Sequence, residues 1–120
     1  MARLSQDFAW FSPVLDRQLK DKRAREYAEK ANELKPDHPV ILDTLGWLLV
    51  EAGQHEQGIE LLQRALTLAP EAADTRYHLA QALVRSGKLA HARRELESLL
   101  SSNARFAHEA EARALLAKLR

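Results

Sequence analysis

At 120 residues, with 46% hydrophobic and 29% charged side chains, the chain is sized for one globular domain with a buried core rather than for a disordered polymer. A net charge of +1 excludes a strong general attraction to nucleic acid or an anionic membrane, although residues 36–70, with Arg64 against Asp37, Asp43, Glu51, Glu56 and Glu60, carry −4 by themselves. The absence of cysteine excludes disulfides, thiolate nucleophiles, zinc–thiolate sites and cysteine lipidation within this chain.

Apolar residues fall at helical spacing nearly everywhere and no stretch alternates as a half-buried strand does, so the expected fold class is all-α. The stripe Leu4, Phe8, Phe11, Leu15 is interrupted by Ser12 and Pro13, which predicts a kink or restart in a first helix. A second helix is expected over about 22–34, with Ala24, Tyr27, Ala28, Ala31 and Leu34 inward. From residue 37, Asp37 and Pro39 offer an acidic first turn and a preset φ to a helix whose buried side is Ile41, Leu42, Leu45, Leu48 and Leu49 and whose stop is Gly53. From Val40 to Ala52 only Asp43, Thr44 and Glu51 relieve the apolarity of that helix, so neighbours must cover it. Its partner runs from about His55 to Leu68, carrying Ile59, Leu62, Ala65, Leu66 and Leu68, and Pro70 forbids continuation.

The next hairpin copies this design. Tyr77, Leu79, Ala80, Leu83 and Val84 line one helix ending near Gly87, and Leu89, Ala92, Leu96, Leu99 and Leu100 line the other. After the polar stretch Ser101, Ser102, Asn103, a last amphipathic helix over about 107–119 offers Leu115, Leu116 and Leu119 as a cap. No uninterrupted apolar signal segment stands in the first 11 residues, and the run Trp47 to Val50 is too short to span a bilayer. The chain as written is therefore expected to be cytoplasmic, without membrane insertion.

Pro36 and Pro70, Ala31 and Ala65, Leu34 and Leu68, Gly53 and Gly87, Leu45 and Leu79, Leu49 and Leu83, and the trio Ala24, Gly58, Ala92 are each spaced by 34 positions. That period belongs to helix-turn-helix solenoids, whose units bury their apolar faces only by stacking. The run Leu42, Leu45-Gly46, Leu49, Gly53, Gly58, Leu62, Ala65, Pro70 resembles the repeat pattern of the tetratricopeptide repeat (TPR) family. A following run, Arg76, Leu79-Ala80, Leu83, Gly87, Ala92, Leu96, Leu99, resembles it until Ala104 replaces the expected proline. The first run, Phe8, Phe11-Ser12, Leu15, lacks the turn glycine and resumes with Ala24, Ala28, Ala31 and Pro36. The resemblance implies an α-α superhelix occupying 1–120 as a single domain, with repeats at about 5–38, 39–72 and 73–106 and a capping helix at about 107–119. More narrowly, Ile41 to Trp47, Arg76 to Ala80 and Ala92 to Glu97 look like the C-terminal repeats of bacterial TPR lipoproteins associated with PEP-CTERM/exosortase and exopolysaccharide systems. A fragment of such a protein would belong to the cell envelope.

The resemblance implies a concave groove lined by the first helix of each hairpin. The groove candidates are Asp43, Trp47, Val50 and Glu51, with Tyr77, Gln81, Val84 and Arg85 at the equivalent positions of the next repeat. Aromatic and arginine side chains there would anchor a protein or peptide ligand. The competing reading is that Trp47 and Tyr77 pack against the adjacent inner helices. A chaperone-type clamp on a C-terminal carboxylate is rejected because Asp43 would repel it. None of His38, His55, His78, His91 and His108 has a second histidine at i+3 or i+4, so they are read as surface or turn residues and no metal is expected. Ser86-Gly87-Lys88 is turn chemistry, and Lys20 to Arg25 and Arg93-Arg94 are solvated helix faces interleaved with acids. No nucleophile–base pair and no cofactor motif is present. The expected function is a non-enzymatic interaction module, monomeric, with a scaffold fragment or a self-assembling unit joined through the N-terminal segment as alternatives.

Overall fold

The computed structural model describes residues 22–102 and 105–120, which hold six helices and no strand. These are α1 over 22–34, α2 Pro39–Glu51, α3 His55–Leu68, α4 Ala73–Arg85, α5 Leu89–Ser101 and α6 Glu109–Leu119. The helix expected around Phe8 and Phe11, the break at Ser12 and Pro13, and Ala104 lie outside the described residues.

Helices α2 and α4 end in the same way. Gly53 and Gly87 hold φ at +88° and +82°, which only glycine adopts without strain. The Gly53 N–H then donates to Val50 and the Gln54 N–H to Leu49; Gly87 and Lys88 repeat this with Val84 and Leu83. Each pair closes a Schellman motif and satisfies carbonyls that a free helix end would leave open. Pro39 sits in the first turn of α2, where its missing N–H costs nothing. Asp37 departs from expectation: it lies before the helix with φ +61°, and its carboxylate pairs with Arg64 on α3 instead of capping α2. A short polar side chain tolerates that left-handed turn, and the ion pair ties the α1–α2 connection to the end of α3.

The α2–α3 hairpin is built on backbone contact. A methyl group added to Gly58 would collide with Val50 Cγ2 and stand 2.5 Å from the Gly46 carbonyl oxygen, and one added to Gly46 would lie 3.0 Å from the Gly58 carbonyl. In the α4–α5 hairpin the equivalent positions are Ala80 and Ala92, both fully buried. Arg76 and Glu95, 2.8 Å apart and largely shielded from solvent, join α4 to α5. Three clusters fill the interior. Val50, Ile59, Leu62, Leu79, Leu83 and Ala92 unite the two hairpins; Tyr77, Ala80, Leu96 and Leu99 meet Ala112 and Leu116 of α6; Leu45 and Leu49 meet Ala28 of α1.

On α1 the inward side differs from the expected one. Ala28 is buried, whereas Tyr27 and Leu34 are each 76% exposed and Ala24 also faces solvent. Successive residues point about 100° apart on a helix, so burying Ala28 against Leu45 and Leu49 turns Tyr27 away, and the small side chain is the one that permits close approach. Leu68 and Leu89, at the ends of α3 and α5, are about half exposed because they lie where the neighbouring helices stop.

Gly58→Ala separates two opposing effects. Helix propensity alone favours alanine by about 1 kcal/mol, while overpacking a tight crossing costs about 1–3 kcal/mol. The contact geometry predicts net destabilisation in urea unfolding, with Gln63→Leu on the exposed side of α3 within about 0.5 kcal/mol of the parent; a stabilised Gly58→Ala protein would contradict the crossing. Removing residues 107–120 uncovers Tyr77, Leu96 and Leu99, at about 1.5–3 kcal/mol for each large side chain fully exposed. The shortened chain should unfold at lower temperature or self-associate, and an unchanged monomer with an unchanged midpoint would remove the capping role from α6.

Candidate partner-binding face

The repeat period places α4 alongside α2, with α3 between them in sequence. Facing side chains join the two inner helices directly. One oxygen of the Asp43 carboxylate accepts a 2.8 Å hydrogen bond from the Thr75 hydroxyl, and the other lies 2.8 Å from His78 Nδ1. One turn further along α2, the Trp47 ring is stacked on the His78 imidazole, with centroids 4.9 Å apart and planes 23° apart. The Arg85 guanidinium carbon also lies 4.9 Å from the Trp47 ring centroid. His78 and Arg85 are seven residues apart on α4, about 10 Å along the axis, so the indole enters between them from α2. Partly buried hydrogen bonds contribute about 1 kcal/mol each, and an exposed cation–π contact about 0.5–1 kcal/mol.

This latch sorts the eight candidate residues. Asp43 and Trp47 are half-buried and engaged between the repeats. Val50 is 1% exposed and belongs to the core between the hairpins, which withdraws it as a surface contact. Tyr77 is 7% exposed and reaches Phe106 and His108 rather than Trp47; its ring stacks on His108 at 5.4 Å. Burial pushes the Tyr77 phenol above its ordinary pKa, and the nearby Glu111 carboxylate adds to the effect. Val84 is half-buried against the core, Gln81 is half-buried, and Glu51 and Arg85 are exposed. Helical spacing alone did not tell which of these side chains the next repeat would cover.

Two residues of the latch, Thr75 and His78, were absent from the candidate set. His78 is no surface histidine: only 26% of its side chain is exposed, held by Asp43 and Trp47. The usable signal was the repeat itself, since groups at i+32 and i+35 flank the residue equivalent to Asp43 and one is a hydroxyl donor and the other an imidazole. Among the described residues, no three metal-ligating side chains gather into a site, and no helix is long and apolar enough to cross a membrane. Other clefts open away from this face, one beside Leu100, Arg113 and Leu116, another beside Asp37, Arg64 and Leu68.

Paired antiparallel helices, stacked with the inner members in lateral contact and closed by a terminal helix, define a helical-repeat solenoid of the α-α superhelix type. A tetratricopeptide repeat family model matches residues 49–119, and the chain belongs to that family. It is 36% identical over 58 residues to a TPR repeat-containing protein of Pseudomonas aeruginosa; the match takes in 48% of this chain and spans about 10% of that relative's length. The fold is similar to that of the type III secretion chaperone SycD of Yersinia enterocolitica in complex with a peptide of the translocator YopD: TM-score 0.75, 16% identity, 99% of this chain and 93% of that one. It is also similar to the second TPR domain of human RPAP3 in complex with an HSP70 peptide, with TM-score 0.72, 16% identity, and coverage of 89% and 87%.

Asp43→Ala should cost about 1–2 kcal/mol in chemical denaturation, because Thr75 and His78 lose a shared acceptor. A double-mutant cycle of Asp43→Ala with His78→Ala should return a coupling of about 0.5–1.5 kcal/mol. Additive effects would mean that the two side chains meet without holding the repeats together.

Proposed function

We propose that this chain is a non-catalytic protein-interaction module that holds a peptide or partner domain against the face built by α2 and α4. The observation that carries this reading is the latch: Asp43, Thr75, His78 and Trp47 fasten the inner helices to one another, so the groups beside them, exposed Glu51 and Arg85 and half-buried Gln81, sit on a preorganised surface. A surface ordered before binding loses less freedom on association. Peptides held by SycD and by the RPAP3 domain support the use of such a fold for capture. The ground for rejecting carboxylate ligands is weakened, since both oxygens of Asp43 are engaged internally. The resemblance of residues 41–47, 76–80 and 92–97 is the ground for the finer reading, a scaffold role in an envelope or exopolysaccharide system.

Affinity capture from a bacterial lysate tests this with two charge-altered baits. Glu51→Lys combined with Gln81→Glu alters the inner face, whereas Gln63→Glu combined with Arg94→Glu alters the outer helices. A partner retained by the parent and the outer variant but lost by the inner one is the expected result; equal retention by all three would place binding elsewhere. Self-assembly is the second reading, favoured by the exposed Tyr27 and Leu34 on α1. It requires a mass in solution that rises with concentration.

A further inference from the structure

Once the latch is accounted for, two exposed full charges of opposite sign remain beside it. Glu51 ends α2 one turn beyond Trp47, on the side of the helix that carries the indole, and Arg85 ends α4 against that same indole. They occupy equivalent positions, 34 residues apart, on adjacent inner helices. Among the described residues neither lies within 4.0 Å of an opposite charge, whereas Arg64, Arg76, Lys88 and Arg113 are all paired. Arg85 is moreover held by its cation–π contact, so its donors are presented without the freedom of a typical surface arginine. Packed helix axes run about 8–10 Å apart, which sets the scale of the separation between the two charges.

Resting on the interaction-module reading, we infer that the partner is an extended peptide segment carrying a basic and an acidic side chain three residues apart, the base meeting Glu51 and the acid meeting Arg85. In a polyproline-II conformation residues i and i+3 project from the same side and are separated by about 9 Å, close to the helix spacing. A β-strand does not place i and i+3 on one side, because its side chains alternate. A guanidinium fixed by stacking suits a carboxylate, which can accept two parallel hydrogen bonds from it. That carboxylate is the Asp or Glu side chain of the same segment.

Selection from a phage-displayed random peptide library on the immobilised full chain tests the pairing. The parent protein should enrich peptides with a Lys or Arg and an Asp or Glu three positions apart. Glu51→Arg leaves the latch untouched and should shift the enriched pattern to two acidic residues. The swapped protein, Glu51→Arg with Arg85→Glu, should enrich the order opposite to the one the parent enriches, with circular dichroism reporting whether it still folds; Glu51→Arg carries the test if it does not. Synthetic versions of an enriched peptide should lose up to about fivefold in affinity when either charge is neutralised. Amidating the peptide C-terminus should leave the affinity unchanged; a loss would assign the acid to the chain terminus and overturn the pairing of side chains. Binders without a charge pattern, or the same pattern for the parent and Glu51→Arg, would overturn the pairing while leaving the interaction-module reading in place. A library that yields no binder to the parent overturns the peptide pairing, and the lysate capture then decides the interaction-module reading separately.

Discussion

The contact between Gly46 and Gly58 is the constraint on which the remainder of the molecule depends. With no side chain on either residue, the α2 and α3 backbones approach until a carbonyl oxygen occupies the space a methyl group would need. That approach drives Val50 and Leu62 into a common interior with Leu79 and Leu83. It also fixes the rotation of α2, so that Trp47 and Asp43 point at α4 while Leu45 and Leu49 point at α1. The all-round apolarity of α2 follows from this position, since three neighbours share its surface. In the second hairpin Ala80 and Ala92 occupy the same positions with slightly more bulk.

Lateral contact between α2 and α4 turns stacked hairpins into a surface. Solenoid stability resides largely in nearest-neighbour interfaces, and this one combines a buried aliphatic core with a polar edge. The core supplies most of the free energy, because each partly exposed hydrogen bond adds only about 1 kcal/mol. The edge supplies direction: a carboxylate shared by a hydroxyl and an imidazole, and an indole between imidazole and guanidinium, restrict how one repeat rotates against the next. The side chains committed to that role are partly buried between the repeats. What remains beside them is sparse and charged, which favours recognition through sign and spacing over a deep apolar anchor.

Much of the architecture was legible in the sequence because period, turn glycines and helix-stopping prolines act locally. Gly53 and Gly87 ended helices where expected, and Gly46, Gly58, Ala80 and Ala92 marked the close crossings. The groove candidates were chosen from the sequence only as a set. Helical spacing tells which side of α2 carries Asp43 and Trp47, yet whether a side chain there meets solvent or the next repeat depends on residues a full period away. Tyr77 shows the same limit: its cover, Phe106 and His108, comes from the connection into α6, where the 34-residue pattern has already failed. On α1, Tyr27 and Ala28 are adjacent in sequence and both apolar, and only the helix packed against them decides which is buried.

The most direct measurement of the central claim is an amide-exchange footprint of the chain with and without a peptide that it binds. If the latched α2–α4 face is the binding surface, added protection should concentrate in the last two turns of α2 and α4, around Glu51, Gln81 and Arg85, with α3 and α5 unchanged. Protection confined to α3 and α5, with α2 and α4 exchanging as in the free chain, would contradict the account.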